Sequence, residues 1–485
     1  MTLFELSNYY SRALAKIKNF PDRSSKTRAL TLKQTQDLLA SYPEFRNELF
    51  CSKQRLQHIR NERLRKILIY AKSYSPWYQK SLAHIDVENF REERLSEIPV
   101  MNKNILMENW NEIVTDRKLS LAHAEKHIAK MRCDKDTLYL NNRYHVLASS
   151  GSSGNRGVYV YDWDEWNYFY LSTARYPLYN HNRSQRLIDP CQKLKVAQVV
   201  ITNTIYAMYS ISKTFFFSNI EKFYLPVTLP IRQIVDGLNQ IRPDILLGTP
   251  TTIYKLCQEA VEGRLKAQPK IIGVSGEPLY KPIRELITSI WPEVNLFNTL
   301  GSSEGLWGVN CQANSEEMHL NDDLCIVEPV DEKGHRVEKT VVPQKIYLTN
   351  LYNYTLPLIR YELSDQLVFL DKTCECGIQH QLIVEPQGRP EFDFLYPDNI
   401  FVHHLVFVTP ILLEKNIREY QVIQTKNGAD IKILATGSVD KIQLQKTIAS
   451  RLIQLGLTQP QVNLFEVTQF DYPESGKLRR FLKLD

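Results

Sequence analysis

The chain has 485 residues, is 43% hydrophobic and 24% charged, and carries a formal net charge of +6. That length exceeds one ordinary core, so two or more domains are expected. No apolar run reaches the ~18 residues that span a bilayer, the eight cysteines are spread unlike a small secreted disulfide scaffold, and the interleaved Lys, Arg and acids form no nucleic-acid-binding stripe. The mild basic excess suits an anionic small substrate or a polyphosphate. Met1-Thr2-Leu3-Phe4-Glu5 has an early acid and no continuous apolar segment. That argues against a signal peptide and predicts a cytoplasmic protein.

In chain order, the first hundred residues read as helical. Leu56, Ile59, Arg63, Ile67 and Tyr70 stand three or four apart in the segment from Leu56 to Lys72. Ser73-Tyr74-Ser75-Pro76-Trp77-Tyr78 breaks that pattern, and a helix resumes from Lys103 to Trp110. Tyr144-His145-Val146-Leu147 and Val158-Tyr159-Val160-Tyr161 read as apolar segments flanking Ala148 to Gly157, a bend rich in serine and glycine. From about residue 195 the pattern changes. The runs Val196 to Ile201, Ile245 to Leu247 and Ile271 to Val274 look like buried strands. Helical stretches separate them at Ile231 to Gln240, Thr251 to Val261 and Lys281 to Trp291. This alternation predicts a layered α/β sheet, with ligands at the carboxyl ends of its strands. Ser275-Gly276-Glu277 and Gly301-Ser302-Ser303-Glu304 fall just after predicted strands. Beyond Gly388-Arg389-Pro390, a hairpin turning at Lys426-Asn427-Gly428, a helix from Lys441 to Leu455 and a strand from Val462 to Phe465 predict a small α+β unit.

The bend from Ser149 to Gly157 differs from a Walker A loop. It joins two strands and lacks the Gly-Lys-Ser/Thr ending. Its glycines let backbone approach a ligand, and its amides and hydroxyls can surround phosphate oxygens. Ser275-Gly276-Glu277-Pro278-Leu279, Leu300-Gly301-Ser302-Ser303-Glu304-Gly305, Leu356-Pro357-Leu358-Ile359-Arg360-Tyr361 with Ser364-Asp365, Gly388-Arg389 and Ser475-Gly476-Lys477 follow in that order. Together they resemble the adenylate-forming superfamily of acyl-CoA synthetases, peptide-synthetase adenylation domains and luciferases. The Pro-Leu-Ile-Arg-Tyr run, the Ser-Gly-Glu-Pro-Leu element and Ser75-Pro76-Trp77-Tyr78 are most similar to the phenylacetate-CoA ligase and CapK-like branch.

The resemblance implies an adenylate-forming domain over residues 1–387 with a helical region at 1–110, a hinge at 388–395 and a mobile lid at 396–485. It implies that ATP and a carboxylic acid are joined as an acyl adenylate with release of pyrophosphate. Ser149, Ser150, Gly151, Ser152, Ser153 and Gly154 would hold phosphates, and Ser275, Gly276, Glu277, Leu300, Gly301 and Ser302 would line the nucleotide site. Asp365 would accept from the ribose hydroxyls, and Arg389 would reach ribose or phosphate. Glu304 would hold Mg²⁺, Ser303 would stand near the α-phosphate or carboxylate, and Lys477 would bridge the substrate carboxylate and α-phosphate.

The chain also departs from the family pattern. Asn155-Arg156 stands where Lys-Pro is usual, and Leu300 where a tyrosine stacks on adenine. Glu391 and Asp393 both offer a hinge acid. Tyr206, Tyr209 and Phe215 fall where the family builds its acyl pocket, whose aromatic walls suit an aryl acid. Cys311, His319, Cys374 and Cys376 would form a closed structural Zn²⁺ site.

The expected reaction is therefore activation of a carboxylic acid, favoured as aromatic, and transfer to a thiol, with CoA as the default acceptor. A carrier-protein thiol, an amine, or a non-catalytic nucleotide-binding role are the alternatives. No nucleic-acid partner is expected, and a homodimer is left open. No Gly-x-Gly-x-x-Gly turn opens a helix, so a dinucleotide oxidoreductase is disfavoured.

Overall fold

The computed structural model describes residues 25–134, 137–149, 156–183, 193–311, 313–338, 341–387, 392–414, 416–472 and 478–484, with only the backbone described at 177–183 and 399. The N-terminal part is helical, as its periodicity predicts. Leu56, Ile59, Leu64, Ile67 and Leu68 form the buried stripe of the helix Lys53–Tyr74. Arg63 lies on the same helix and pairs with Glu48 at 2.9 Å. Ser75 ends that helix and caps the next. Its hydroxyl accepts from the Tyr78 amide at 3.3 Å, and Pro76 sits in the first turn, where a missing N–H leaves no bond unmade.

Strands β1 (Tyr139–Leu140), β2 (Tyr144–Ala148) and β3 (Val158–Tyr161) form a small antiparallel sheet. The large sheet then opens with five strands, β4 (Leu194–Val200), β5 (Ile220–Pro226), β6 (Ile245–Gly248), β7 (Ile271–Ser275) and β8 (Asn295–Gly301). They lie parallel in the order β5-β4-β6-β7-β8, joined by helical crossovers that include Ile231–Ile241, Pro250–Val261 and Lys281–Ile290. Antiparallel strands β9 (Trp307–Asn310) and β10 (Glu317–Leu320) extend this sheet. A second antiparallel sheet holds β11 (Cys325–Val330), β12 (Lys345–Asn350) and β13 (Tyr361–Leu363). The large sheet finishes with β14 (Phe369–Leu370) and β15 (Leu382–Val384), giving nine strands in all.

The strand order reverses between β4 and β6, because β5 lies on one side of β4 and β6 on the other. Such a switch point leaves a crevice at the strands' carboxyl ends, where crossover chains part to opposite faces.

The C-terminal unit begins with a short hairpin, β16 (Phe394–Tyr396) and β17 (Ile400–Val402). Then β18 (Ile417–Thr425) and β19 (Gly428–Ala435) pair antiparallel across the predicted Lys426-Asn427 turn. They join β20 (Gln461–Glu466) and β21 (Phe481–Leu482) in a four-stranded sheet, against which the helix Lys441–Gln454 packs. This large α/β body with a smaller α+β unit matches the predicted fold class.

Polar contacts join the two units. Arg418 on β18 bonds to Gln258 at 2.6 Å and to Glu262 at 2.5 Å, and Gln258 donates to the Ile417 carbonyl at 3.0 Å. The helix Pro250–Val261 therefore carries the seam.

Candidate functional site

A cavity of about 980 Å³ opens at the switch point between body and C-terminal unit. The ends of β4, β6, β7 and β8 contribute Val200, Gly248, Ser275 and Gly301 to its wall. Of the predicted site residues, Ser149, Ser275, Gly276, Glu277, Gly301, Ser302, Ser303, Glu304 and Asp365 line it, together with Tyr206 and Tyr209. Segments more than two hundred residues apart in sequence thus meet around one space.

Each segment is placed by identifiable local bonds. Ser149 closes the base of the serine-glycine bend. Its amide donates to the Gly157 carbonyl at 2.9 Å, and its hydroxyl accepts from the Gly157 amide at 2.8 Å. Gly276 turns the chain after β7 at φ +79°, a conformation that strains any other residue. Glu277, next in sequence, accepts from the Thr251 amide at 3.2 Å. Glu304 is buried, and its Oε1 accepts from the Tyr159 hydroxyl at 2.6 Å. Burial and the adjacent Glu304 charge hold the Tyr159 phenol well above its ordinary range, so it remains a neutral donor.

Ser150, Gly151, Ser152, Ser153, Gly154, Arg389, Glu391 and Lys477 lie outside the described residues. Tyr472 and Leu478, on either side of residues 473–477, both line the cavity. Asp393, the other hinge acid, is buried and accepts from the His404 amide at 2.9 Å and His404 Nδ1 at 2.7 Å.

Two expected residues stand elsewhere. Thr299 and Gly301 line the cavity, and Leu300 between them packs against the main core of the body. Side chains alternate along a strand, so residue 300 of β8 faces away from its neighbours. Phe215 follows the helix Ala207–Thr214 and turns inward. It is 1% exposed, with its ring centroid 4.4 Å from that of Tyr170. It belongs to the core and does not line this cavity.

Sequence reasoning missed the lid's own contribution. Glu419 on β18 is ion-paired with Lys255 of the body, accepts from Tyr472 at 3.1 Å and lies 2.7 Å from Arg480. Arg480 in turn donates to Thr251 Oγ1 of the body at 2.9 Å. Lys255, Glu419, Tyr472 and Arg480 all reach the cavity. Lys255 and Glu419 lie on opposite units 164 residues apart, so no local pattern announces the pair.

Burial pushes the Glu419 carboxyl up, but Arg480 and Lys255 outweigh burial and hold it below its ordinary value. A depressed folded pKa contributes stability above the unfolded value, and that contribution is lost as pH falls through the folded one. The Glu419 contribution to the seam should therefore persist through the ordinary glutamate range, near ~4.3, and be lost only below it. At neutral pH, Glu419→Gln removes the carboxylate shared by Lys255 and Arg480 and should weaken docking by roughly 3 kcal/mol. Energy transfer between dyes on body and lid reports both effects. Unchanged transfer in the variant would remove Glu419 from this role.

A second cluster lies at the far edge of the large sheet. Cys311 follows β9, His319 lies on β10, and Cys374 and Cys376 lie between β14 and β15. Their ligand atoms all lie within 4.8 Å of one another. Cys311 and Cys374 Sγ are 3.3 Å apart, beyond the about 2.05 Å of a disulfide, and Cys376 Sγ is 3.2 Å from His319 Nε2. Amides of Ala313, Cys376 and Ile378 point at the three sulfurs at 3.4–3.5 Å. His319 Nδ1 donates to the His380 carbonyl at 3.2 Å, which turns Nε2 toward the sulfurs. The hydrogen bond from Cys376 holds the Cys311 thiol down at about 3.

No family model and no curated protein matches this sequence. Solved structures do match. The chain aligns with a 2-hydroxyisobutyryl-CoA ligase in its postadenylation state at a TM-score of 0.67 and 15% identity, over 90% of both chains. It shares that ligase's fold. The same ligase in its thioesterification state aligns at 0.55, over 90% of this chain and 91% of the other.

Proposed function

We propose that this protein is an AMP-forming acid–thiol ligase. It activates a carboxylic acid with ATP and passes the acyl group to a thiol, with CoA the default. One observation carries the reading: a single cavity unites Ser149, Glu277, Glu304 and Asp365 of the body with Tyr472 and Leu478, which flank residues 473–477 of the lid. The shared fold supports it. So does the better match to that ligase's postadenylation form, 0.67, than to its thioesterification form, 0.55.

The chemical difficulty is that two anions must meet. A carboxylate oxygen attacks the α-phosphorus, and the bond to pyrophosphate breaks. The site must therefore supply positive charge and oriented donors where negative charge develops. Residues 150–154 would cradle the β- and γ-phosphates through amides and hydroxyls. Asp365 would accept both ribose hydroxyls, since a carboxylate has two acceptor oxygens. Lys477, next in sequence to Leu478, would bring a point charge to neutralise the carboxylate and α-phosphate. Arg389 at the hinge would serve ribose or phosphate.

Mg²⁺ fits the acidic wall. Glu304 is a hard oxygen donor lining the cavity, and among the described residues its only hydrogen-bonded side-chain partner is the neutral Tyr159. When bound, the ion screens the charge of the phosphate oxygens. Tyr206 and Tyr209 line the cavity and would wall its acyl end, which suits a flat aryl acid. The neighbouring ligase is complexed with 2-hydroxyisobutyryl adenylate, so a short hydroxy acid is the competing class.

Pyrophosphate–ATP exchange across a panel of aryl acids and short hydroxy acids tests the first step. Exchange dependent on at least one acid is expected, and thioester formation on adding CoA identifies the acceptor. ATP binding without exchange for any acid would replace this reading with a non-catalytic nucleotide-binding one.

Zn²⁺ also fits its donor set. Cys311, His319, Cys374 and Cys376 would hold it with no open position, as a structural site does. The ion would then cross-link the edge strands of the large sheet.

A further inference from the structure

The Ser302–Gly305 loop rests on donors from two other sheets. Tyr159 and Tyr161 stand two residues apart on β3, so their side chains leave the same face of the strand. Tyr161 donates to the Ser303 carbonyl at 2.6 Å, and Tyr159 donates to Glu304 Oε1 at 2.6 Å. Asn350, ending β12, donates to the Glu304 carbonyl at 2.9 Å. Both phenols are fully buried. A Cβ at Gly157 would stand 2.5 Å from the Tyr159 hydroxyl, so that glycine leaves the space in which the phenol sits.

A second phenol completes the chain of bonds. The Tyr361 hydroxyl lies 3.2 Å from that of Tyr159. An ionised carboxylate can only accept, so the single proton of Tyr159 goes to Glu304 and Tyr361 is the donor to Tyr159. Tyr361 and Glu304 both line the cavity.

We propose that Tyr159 is the positioning residue for the cation-holding carboxylate of Glu304. The proposal rests on the ligase reading, in which Glu304 holds Mg²⁺. A glutamate turns about three side-chain bonds, and tying one oxygen removes most of that freedom before any cation arrives. The choice of donor matters. A lysine or arginine in this place would tie the carboxylate but also cancel its charge. A neutral phenol orients it and leaves the full charge for the ion. Tyr161 does the same for the backbone of the preceding residue, so alternate residues of one strand align both the main chain and the side chain of the loop.

The test is Tyr159→Phe, which removes one oxygen and preserves the ring. Two readouts are taken: the Mg²⁺ concentration that half-saturates acid-dependent exchange, and Mn²⁺ binding to the protein–ATP complex followed by electron paramagnetic resonance. Both should weaken about tenfold, with the far-UV spectrum and the KM for the acid retained. A purely structural role would leave both metal readouts where they are, and that result overturns the proposal. Tyr361→Phe keeps the Tyr159–Glu304 bond and removes only its outer donor, so a smaller shift in the same direction is expected. Should Tyr159→Phe fail to fold, this second variant decides: a shift supports the proposal, and no shift overturns it. Wild-type protein inactive with every acid would reject the ligase reading, while the Mn²⁺ measurement would still judge Tyr159.

Discussion

Replacing Glu304 by Gln is expected to lower acid-dependent pyrophosphate–ATP exchange about a hundred- to a thousandfold in a chain that stays folded. The substitution changes charge and little else. A glutamine carbonyl can still accept from Tyr159, and Asn350 still binds the residue 304 backbone. The side chain therefore keeps its place beside the cavity and loses only the negative charge that would hold a hard cation. Single-turnover exchange with the best acid of the panel measures the loss, and a thermal melt checks the fold. Full exchange in this variant would show that the cavity's acid at 304 does not serve the phosphates.

The second large effect is expected at the cysteine–histidine cluster. Elemental analysis should find one zinc per chain, and Cys374→Ser should release it and destabilise the protein by about 4 kcal/mol or more. Cys311 and Cys374 are 63 residues apart in sequence, and the cluster joins β9, β10 and the β14–β15 connection. Without a cation at its centre, only weak sulfur hydrogen bonds offset the cost of enclosing these sulfurs and an imidazole. The amides aimed at the sulfurs favour thiolates, but Cys376 keeps its proton to hold the Cys311 thiolate, so all three sulfurs ionise together only around a cation. A chelator should lower the melting temperature of the wild type and leave Cys374→Ser unmoved. Metal-free protein that melts unchanged would reduce the cluster to packed thiols.

The elements of the fold were readable where local chemistry is decisive. The helix ending at Tyr74 and the next beginning at Pro76 follow from a serine cap and a proline in the first turn. The strands Ile245–Gly248 and Ile271–Ser275 announce themselves as short apolar runs between helical stretches. The hairpin at Lys426-Asn427 follows from its turn residues. Much of the candidate site was readable for the same reason. Ser275 to Glu277 and Gly301 to Glu304 follow strands of a parallel sheet, and such ends open on a crevice.

The misplacements are equally local. Leu300 stands where the resemblance expects a ring on adenine, but strand alternation turns it toward the core while Thr299 and Gly301 face the cavity. Phe215 falls with Tyr206 and Tyr209 where the resemblance expects an acyl pocket. It caps the helix Ala207–Thr214, which carries Tyr209, and turns into the core against Tyr170. The alternation of Val158-Tyr159-Val160-Tyr161 held a usable signal: two phenols on one face of a buried strand require acceptors. Nothing in the strand named Glu304 and Ser303 as those acceptors.

Periodicity, caps and turn residues act over a few positions, so the chain's order of helices and strands, and the glycine-containing bends between them, follow from residues adjacent in sequence. The joining of Tyr159 to Glu304 across 145 residues, and of Thr251 to Arg480 across 229, depends on how those pieces close on one another. Closure is driven by burial of apolar surface, which is non-directional and names no particular partner. Which phenol meets which carboxylate, and which lid cation meets the body, therefore emerges only once the sheets and the lid are packed.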